Sequence, residues 1–337
     1  MAAPHETRNC PVCREPWLVL ADPTGLPDRW AELAAAAARF DGAAAVRRPP
    51  DPAAAPRPGE HPENEQDEHD AFFGVARSTD LSAAAFLLGG AHTHHLVAVH
   101  QERSGCGDPR DPGAPAAGWQ CLVERATGAE PAVACPAGTT GTAEDGGDPV
   151  DCPRPHEHWR VGHQLFFVLI QGVVTGLRCF AGAAAGDTAG AARALRLASE
   201  MCRHSAVAMT FAGGLSPADY EREVRPSMLP PAVRPGFSGF QTRDHALLVR
   251  TLRAVRPALG ALGFDHPAVV ELDGALQQVY AAHRWVCSRF DGARIPSLLM
   301  EVGGPQSAQR SGVAVVDELT ERRLALVRAA GPRPDRH

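Results

Sequence analysis

From His156 onward the chain repeats its apolar residues at three- and four-residue steps, and Gly and Pro pairs break the pattern into helix-sized lengths. Segments at roughly 157–182, 187–209, 216–223, 242–259, 266–290 and 312–329 carry this period, which predicts a succession of helices. Thr242 can cap the fourth, and Gly213–Gly214, Pro230–Pro231 and Gly303–Gly304–Pro305 are the breakers. No strand pattern of comparable strength and no internal repeat accompanies it. The expected fold is mostly α, with an all-helical domain over 156–330 and an irregular N-terminal region over 1–155 that docks on it.

Within that N-terminal region, Leu26, Trp30, Leu33, Ala34 and Ala37 recur at helical spacing, with Pro27 suited to the first turn. Residues 47–70 are proline-rich and then acidic, and read as a mobile linker. Ala83–Leu88 is apolar and leads into a histidine cluster, His92, His94, His95 and His100. Residues 103–155 are rich in Gly, Pro and Cys and read as a long irregular excursion, at most with a short hairpin.

Composition narrows the function. Of 337 residues 44% are apolar, enough for a sizeable core, and the formal net charge of −6 argues against a nucleic-acid partner. Every side-chain base other than histidine is arginine. Met1–Arg8 lacks an apolar secretory core, and the best apolar run, Leu165–Ile170, is short for a membrane span. A cytoplasmic protein without a membrane partner is expected. Its nine cysteines should then be reduced thiols, suited to metal or covalent chemistry rather than a disulfide frame.

The sharpest pattern is His283-Arg-Trp-Val-Cys287, on a segment whose apolar face holds Leu272, Leu276, Val279, Tyr280, Val286 and Phe290. Four residues apart on a helix, the imidazole and the thiol share one face with Cβ atoms roughly 6 Å apart. An imidazole there can hold haem iron, and the thiol one turn later reaches the porphyrin rim, where a vinyl group could capture it in a single thioether. The usual C-x-x-C-H attachment signature is absent. By themselves the two residues are more simply read as core, where small thiols are common.

Three segments, in order, resemble the tryptophan 2,3-dioxygenase superfamily. His163-Gln-Leu-Phe-Phe-Val-Leu-Ile-Gln171 resembles its distal T-H-Q-x-x-E-L-W-F-K-Q helix, and Ser238-Gly-Phe-Gln-Thr-Arg-Asp-His245 its S-G-F-Q-S-x-Q-F-R segment. Tyr280-Ala-Ala-His-Arg-Trp-Val-Cys287 resembles the helix supplying the proximal iron ligand, and Gly303-Gly304 the loop after it. The resemblance covers about 156–312. It departs where the family has phenylalanine and its carboxylate-binding arginine: His245 and Ala246 stand there. The resulting pattern of two histidines and a cysteine, His245, His283 and Cys287, is similar to the histidine-ligated haem-dependent aromatic oxygenases, chiefly those acting on 3-methyl-L-tyrosine in saframycin-type antibiotic biosynthesis.

That resemblance implies a c-type haem with a single thioether to Cys287 and iron between His245 and His283. It implies hydroxylation of 3-methyl-L-tyrosine to 3-hydroxy-5-methyl-L-tyrosine with hydrogen peroxide, or with dioxygen and a reductant. Six-coordinate iron cannot bind peroxide, so one histidine must leave; His245, aligned with a substrate-side segment, is the one expected to go. It could then accept a proton, an imidazole's ordinary pKa of about 6.5 suiting the task. His163 is the second acid–base candidate, placed to hydrogen-bond the phenol; the plainer reading is a packing histidine at a helix start. Phe166–Phe167 could wall an aromatic substrate, though a helix core explains them more simply. Arg160, Arg243 and Arg250 are candidates for the substrate carboxylate.

Two other groupings suggest metal. Cys10-Pro-Val-Cys13 is a knuckle-like zinc half-site whose second half would come from Cys106, Cys121, Cys135 or Cys152; unligated thiols are the alternative. His92-Thr-His94-His95 could ligate a metal if extended, since alternate residues share a strand face. Cys179 and Cys202 read as core. The rival functions are an indole-opening haem dioxygenase, opposed by the missing arginine at 246, a bis-histidine electron carrier or haem sensor, opposed by the match at His163, and a zinc-stabilised binding module. The dioxygenase relatives are often homo-oligomers, and no stretch here specifies a dimer face.

Overall fold

The computed structural model describes residues 18–47, 64–106, 114–129, 152–237, 241–290 and 310–329. Its order is β1 (Leu18–Ala21), α1 (Trp30–Ala38), α2 (Gly42–Arg47), α3 (Glu65–Phe72), β2 (Val75–Ser78), α4 (Ala83–Ser104), α5 (Ala114–Thr127), α6 (Pro155–Ala183) and α7 (Thr188–Ala212). The short turns α8 (Pro217–Asp219) and α9 (Arg225–Ser227) flank a π-helical turn at Tyr220–Val224, and α10 (Arg243–Leu262), α11 (Pro267–Arg289) and α12 (Gly312–Leu324) follow. The fold is mostly α.

The hub is α6. It is apolar all round, so it belongs in the middle of a bundle. Pro155 opens it at a position where a missing N–H costs nothing, and His158–Leu165 and Phe167–Leu177 are buried without a break. By length and composition α6 could cross a membrane, but 78% of its apolar window is buried inside the protein, as in a core helix. A short connection capped by Asp187, which accepts from Gly190 N at 2.7 Å, folds α7 back onto it. Glycine sets how close the two helices come: a Cβ on Gly176 would stand 2.8 Å from Ala198 N, and one on Gly162 2.7 Å from Ala212 Cα. Also packed on α6 are α10 and α4, while α11 and α5 lie on α7 and α12 on α11.

The N-terminal region departs from its sequence reading in several places. The helix read over 26–37 begins only at Trp30, after an extended Arg29, so Pro27 lies outside it. The linker reading over 47–70 fails at its C-terminal end, where Asn64 accepts from Asp67 N and starts α3. The histidine cluster sits on the 22-residue helix α4, so His92 and His94 do not share a face. His92 is buried, within 3.0 Å of Ala45 O, and His95 is exposed. The excursion at 103–155 contains α5, which buries Trp119 and Leu122. A parallel β1–β2 pair, with Leu18 opposite Val75, is present where no strand was expected. Cys106 and Cys152, expected as reduced thiols, are joined in a disulfide.

Candidate active site

Three imidazoles from three helices share one neighbourhood. His163 lies in the third turn of α6, His245 in the first turn of α10 and His283 near the end of α11. Burial, then the charges of His245 and His163, push His283 down to about 3, which places both rings close to it. One turn beyond, burial raises the Cys287 thiol to about 12. Both His283 and Cys287 nevertheless keep partial surface exposure, so they border an opening rather than packed core.

Each histidine is oriented by its surroundings. His163 Nδ1–H donates to Trp159 O at 2.7 Å, which leaves Nε2 with the lone pair. Its ring stacks on Phe73 at 4.7 Å and lies 4.3 Å from Trp159. Gln164 holds that stack by donating Nε2–H to Phe73 O at 2.7 Å. Gly74 follows with φ +63°, a backbone state that favours glycine. Burial takes His163 down to about 4, so it is neutral at pH 7 and is a mid-helix residue rather than a helix-start cap.

His245 is fixed through its neighbours. Thr242 caps α10, its hydroxyl accepting from His245 N at 3.3 Å. Asp244, whose side chain is 0% exposed, accepts from Gln171 Nε2 at 2.7 Å and pairs with Arg77 at 2.7 Å. Arg77 also grips Asp70 at 2.6 Å, and Arg243 bridges Asp70 and Asp67. Residues from α3, β2, α6 and α10 thereby lock the first turn of α10. Arg243 is consequently diverted from any substrate carboxylate, and Arg250 is exposed. Of the three arginines singled out from the sequence, Arg160 is the one on the helix of His163. It is buried one turn before His163, its alkyl chain and guanidinium lie against Gly74, and burial lowers it to about 10.

Aromatic side chains that the sequence did not single out complete the wall. Tyr220 stacks on Phe290 at 4.0 Å and lies 5.5 Å from Trp159. Cys287 lies near enough to Tyr220 to help raise its hydroxyl to about 12, after the larger effect of burial. Tyr220 opens the π-helical turn, a geometry common near functional sites and invisible to helical periodicity. The Phe72–Phe73 pair just before Gly74 was the available hint for the other end of the wall. Phe167 packs edge-on against Phe73 at 5.1 Å, inside the core as the simpler reading had it. Cys179 and Cys202 are buried thiols, and Cys121 faces Glu200 at 3.6 Å. Cys10, Cys13, Cys135, Gly303 and Gly304 lie outside the described residues.

The comparisons with known proteins agree with one another. A profile described as SfmD 3-methyl-L-tyrosine peroxygenase matches residues 19–273, a span that contains His163 and His245 and stops before His283. A 3-methyl-L-tyrosine peroxygenase of Streptomyces lavendulae is 34% identical over 171 residues, 50% of this chain and 45% of that relative's length. The crystal structure of reduced SfmD, soaked with sodium hydrosulfite, superposes with a TM-score of 0.57 at 25% identity, over 81% of this chain and 98% of that one. Helical architecture and sequence match coincide over most of the molecule, and the chain belongs to the SfmD 3-methyl-L-tyrosine peroxygenase family.

Proposed function

We propose that this chain is a haem-dependent peroxygenase that adds one oxygen to the ring of an aromatic amino acid, converting 3-methyl-L-tyrosine to 3-hydroxy-5-methyl-L-tyrosine as hydrogen peroxide becomes water. The observation carrying this reading is the convergence of His163, His245 and His283 beside Cys287, within a family whose characterised relative is such a peroxygenase.

The residues fit a haem. His283 is held neutral, the form in which an imidazole ligates a metal. A second imidazole, His245, lies within electrostatic reach of His283, and Cys287 is on the same face of α11 as His283. Protonated, the Cys287 thiol suits addition across a vinyl group better than service as an iron thiolate. The haem would thus be held by His283 and His245 through iron and by a single thioether at Cys287. When bound, it would activate peroxide, which supplies the oxygen and the oxidising equivalents, for attack on the substrate ring.

The chain's own residues do the rest. His245 would be the histidine to withdraw, because its segment matches a substrate-side segment of the family it resembles and His283 matches the proximal one. The buried Arg160 guanidinium takes the substrate carboxylate. With its Nδ1 proton committed to Trp159 O, His163 presents Nε2 to the phenol O–H and orients the ring. With its pKa lowered to about 4 by burial, His163 serves as a hydrogen-bond acceptor that stays neutral. Phe73, Trp159 and Phe167 keep water off that ring.

Purified haem-loaded protein should yield a product with one added oxygen from 3-methyl-L-tyrosine and peroxide, read by mass spectrometry. Ring-opened product from tryptophan would favour the indole dioxygenase reading instead, and haem-loaded protein without either product would remove both. Replacing His163 with alanine is expected to lower kcat on the order of 100-fold. The wild-type rate should lack an acid limb near pH 6.5, because a folded pKa pressed down to about 4 leaves the ring neutral above that value and protonates it only below. A limb at pH 6.5 that vanishes in His163→Ala would overturn the assignment. For Arg160→Gln, KM should rise at least tenfold with a smaller change in kcat, about 1.4 kcal/mol of lost charge-assisted binding.

A further inference from the structure

A second cluster stands apart from these residues. His100 at the end of α4, Cys106 just after it, Cys152 just before α6 and His158 in its first turn are all buried, and their ligand atoms lie within 4.8 Å of one another. The spacing is symmetrical, each cysteine following or preceding its histidine by six positions. His158 and His163 point to different sides of α6, since five residues turn a helix by roughly 140°.

The hydrogen bonds around the two imidazoles constrain their protons. His158 Nε2 lies 2.6 Å from Phe211 O, a pure acceptor, so Nε2 carries the proton and Nδ1 the lone pair. That Nδ1 faces His100 Nε2 at 3.1 Å. The other nitrogen of His100, Nδ1, faces the Glu157 carboxylate at 3.5 Å, itself anchored by Arg154 at 3.0 Å. A proton on His100 Nδ1 satisfies the carboxylate and turns a second lone pair toward His158. Ser104 Oγ, 3.3 Å from His100 Nε2, spends its own proton on His100 O at 2.6 Å. Two nitrogen lone pairs then meet in a buried space also holding two sulfurs, an arrangement that a cation resolves. Histidines oriented by a carboxylate and by a backbone carbonyl are the usual outer shell of a zinc site.

We propose that His100 Nε2, Cys106 Sγ, Cys152 Sγ and His158 Nδ1 bind one structural zinc ion when the two cysteines are reduced. Zinc takes two thiolates and two imidazoles in a tetrahedron whose neighbouring ligand atoms stand roughly 3.3–3.8 Å apart, close to the present span. Binding releases one proton from each thiol. The disulfide is the oxidised form of the same pair: a peroxide takes two electrons from the thiolates, an S–S bond forms, two protons complete two waters, and zinc departs. The ion would tie the end of α4 to the start of α6. This site differs from the Cys10–Cys13 half-site and is independent of the haem chemistry.

The test is metal analysis of full-length protein purified under a mild reductant without chelator. One zinc per chain is expected, with X-ray absorption at the zinc edge showing two sulfur and two nitrogen neighbours. Cys152→Ser should lose the zinc, whereas the double variant Cys10→Ser/Cys13→Ser should keep it. Should Cys152→Ser fail to fold, alkylation of wild type decides: Cys106 and Cys152 should resist modification until a zinc chelator is added. Zinc-free wild type with both thiols open to alkylation, or zinc lost with Cys10 and Cys13, would overturn the site.

Discussion

Replacing His283 with alanine is expected to leave a protein that retains no haem after gel filtration and has no peroxygenase activity. The claim rests on position: His283 is the imidazole near both other histidines, on the helix that also bears Cys287. Neutral imidazole is its natural state in this site, so ligation needs no deprotonation cost at pH 7. Cys287→Ala should behave differently. It should keep a haem with similar ligation that acid and organic solvent now extract, whereas wild-type haem stays with the tryptic peptide containing Cys287. Haem extracted intact from wild type would refute the tether, and haem retained by His283→Ala with an unchanged spectrum would refute the ligand. The pair of variants separates ligation from attachment.

Asp244→Ala is expected to cost about 3–5 kcal/mol of stability, because it strips a fully buried carboxylate from Arg77 and leaves that cation short of a partner. Asp70 cannot substitute. Burial already raises its own pKa, and it must serve Arg77 and Arg243 at once. The loss should appear as a fall in urea midpoint. A second effect should be local: Asp244 is adjacent to the ligand candidate His245 and ties the first turn of α10 to Gln171 and Arg77. The variant's iron spectrum should therefore shift even at temperatures where the protein stays folded. A midpoint within 1 kcal/mol of wild type, by the scale of surface substitutions, would show that the network is not a structural lock.

The periodicity after His156 located the main helices because their apolar faces repeat locally: α6, α7, α10 and α11 fall within a few residues of the segments read from sequence. The residues His163, His245, His283 and Cys287 could be picked out because a helix places His283 and Cys287 on one face and because a family pattern ordered the rest. What the sequence hid is mostly long-range. Nothing near His100 announces His158, 58 residues away, and nothing near Arg77 announces Asp244. The helix α4 was obscured by Gly89–Gly90 and its histidines, residues chosen for close approach: a Cβ on Gly90 would stand 2.1 Å from the Trp119 ring. The same contact explains why α5, with Pro and Gly in its sequence, is helical all the same; tertiary packing overrides weak propensity.

Glycine on α6 has a mechanical consequence. With hydrogen in place of a side chain at Gly162 and Gly176, this helix meets α7 in near backbone contact, and little slack remains for it to slide or roll. The same rod carries His158 at one cluster and His163 at the other. Both histidines sit in the first three turns of that rod, so neither cluster can shift without carrying the other along.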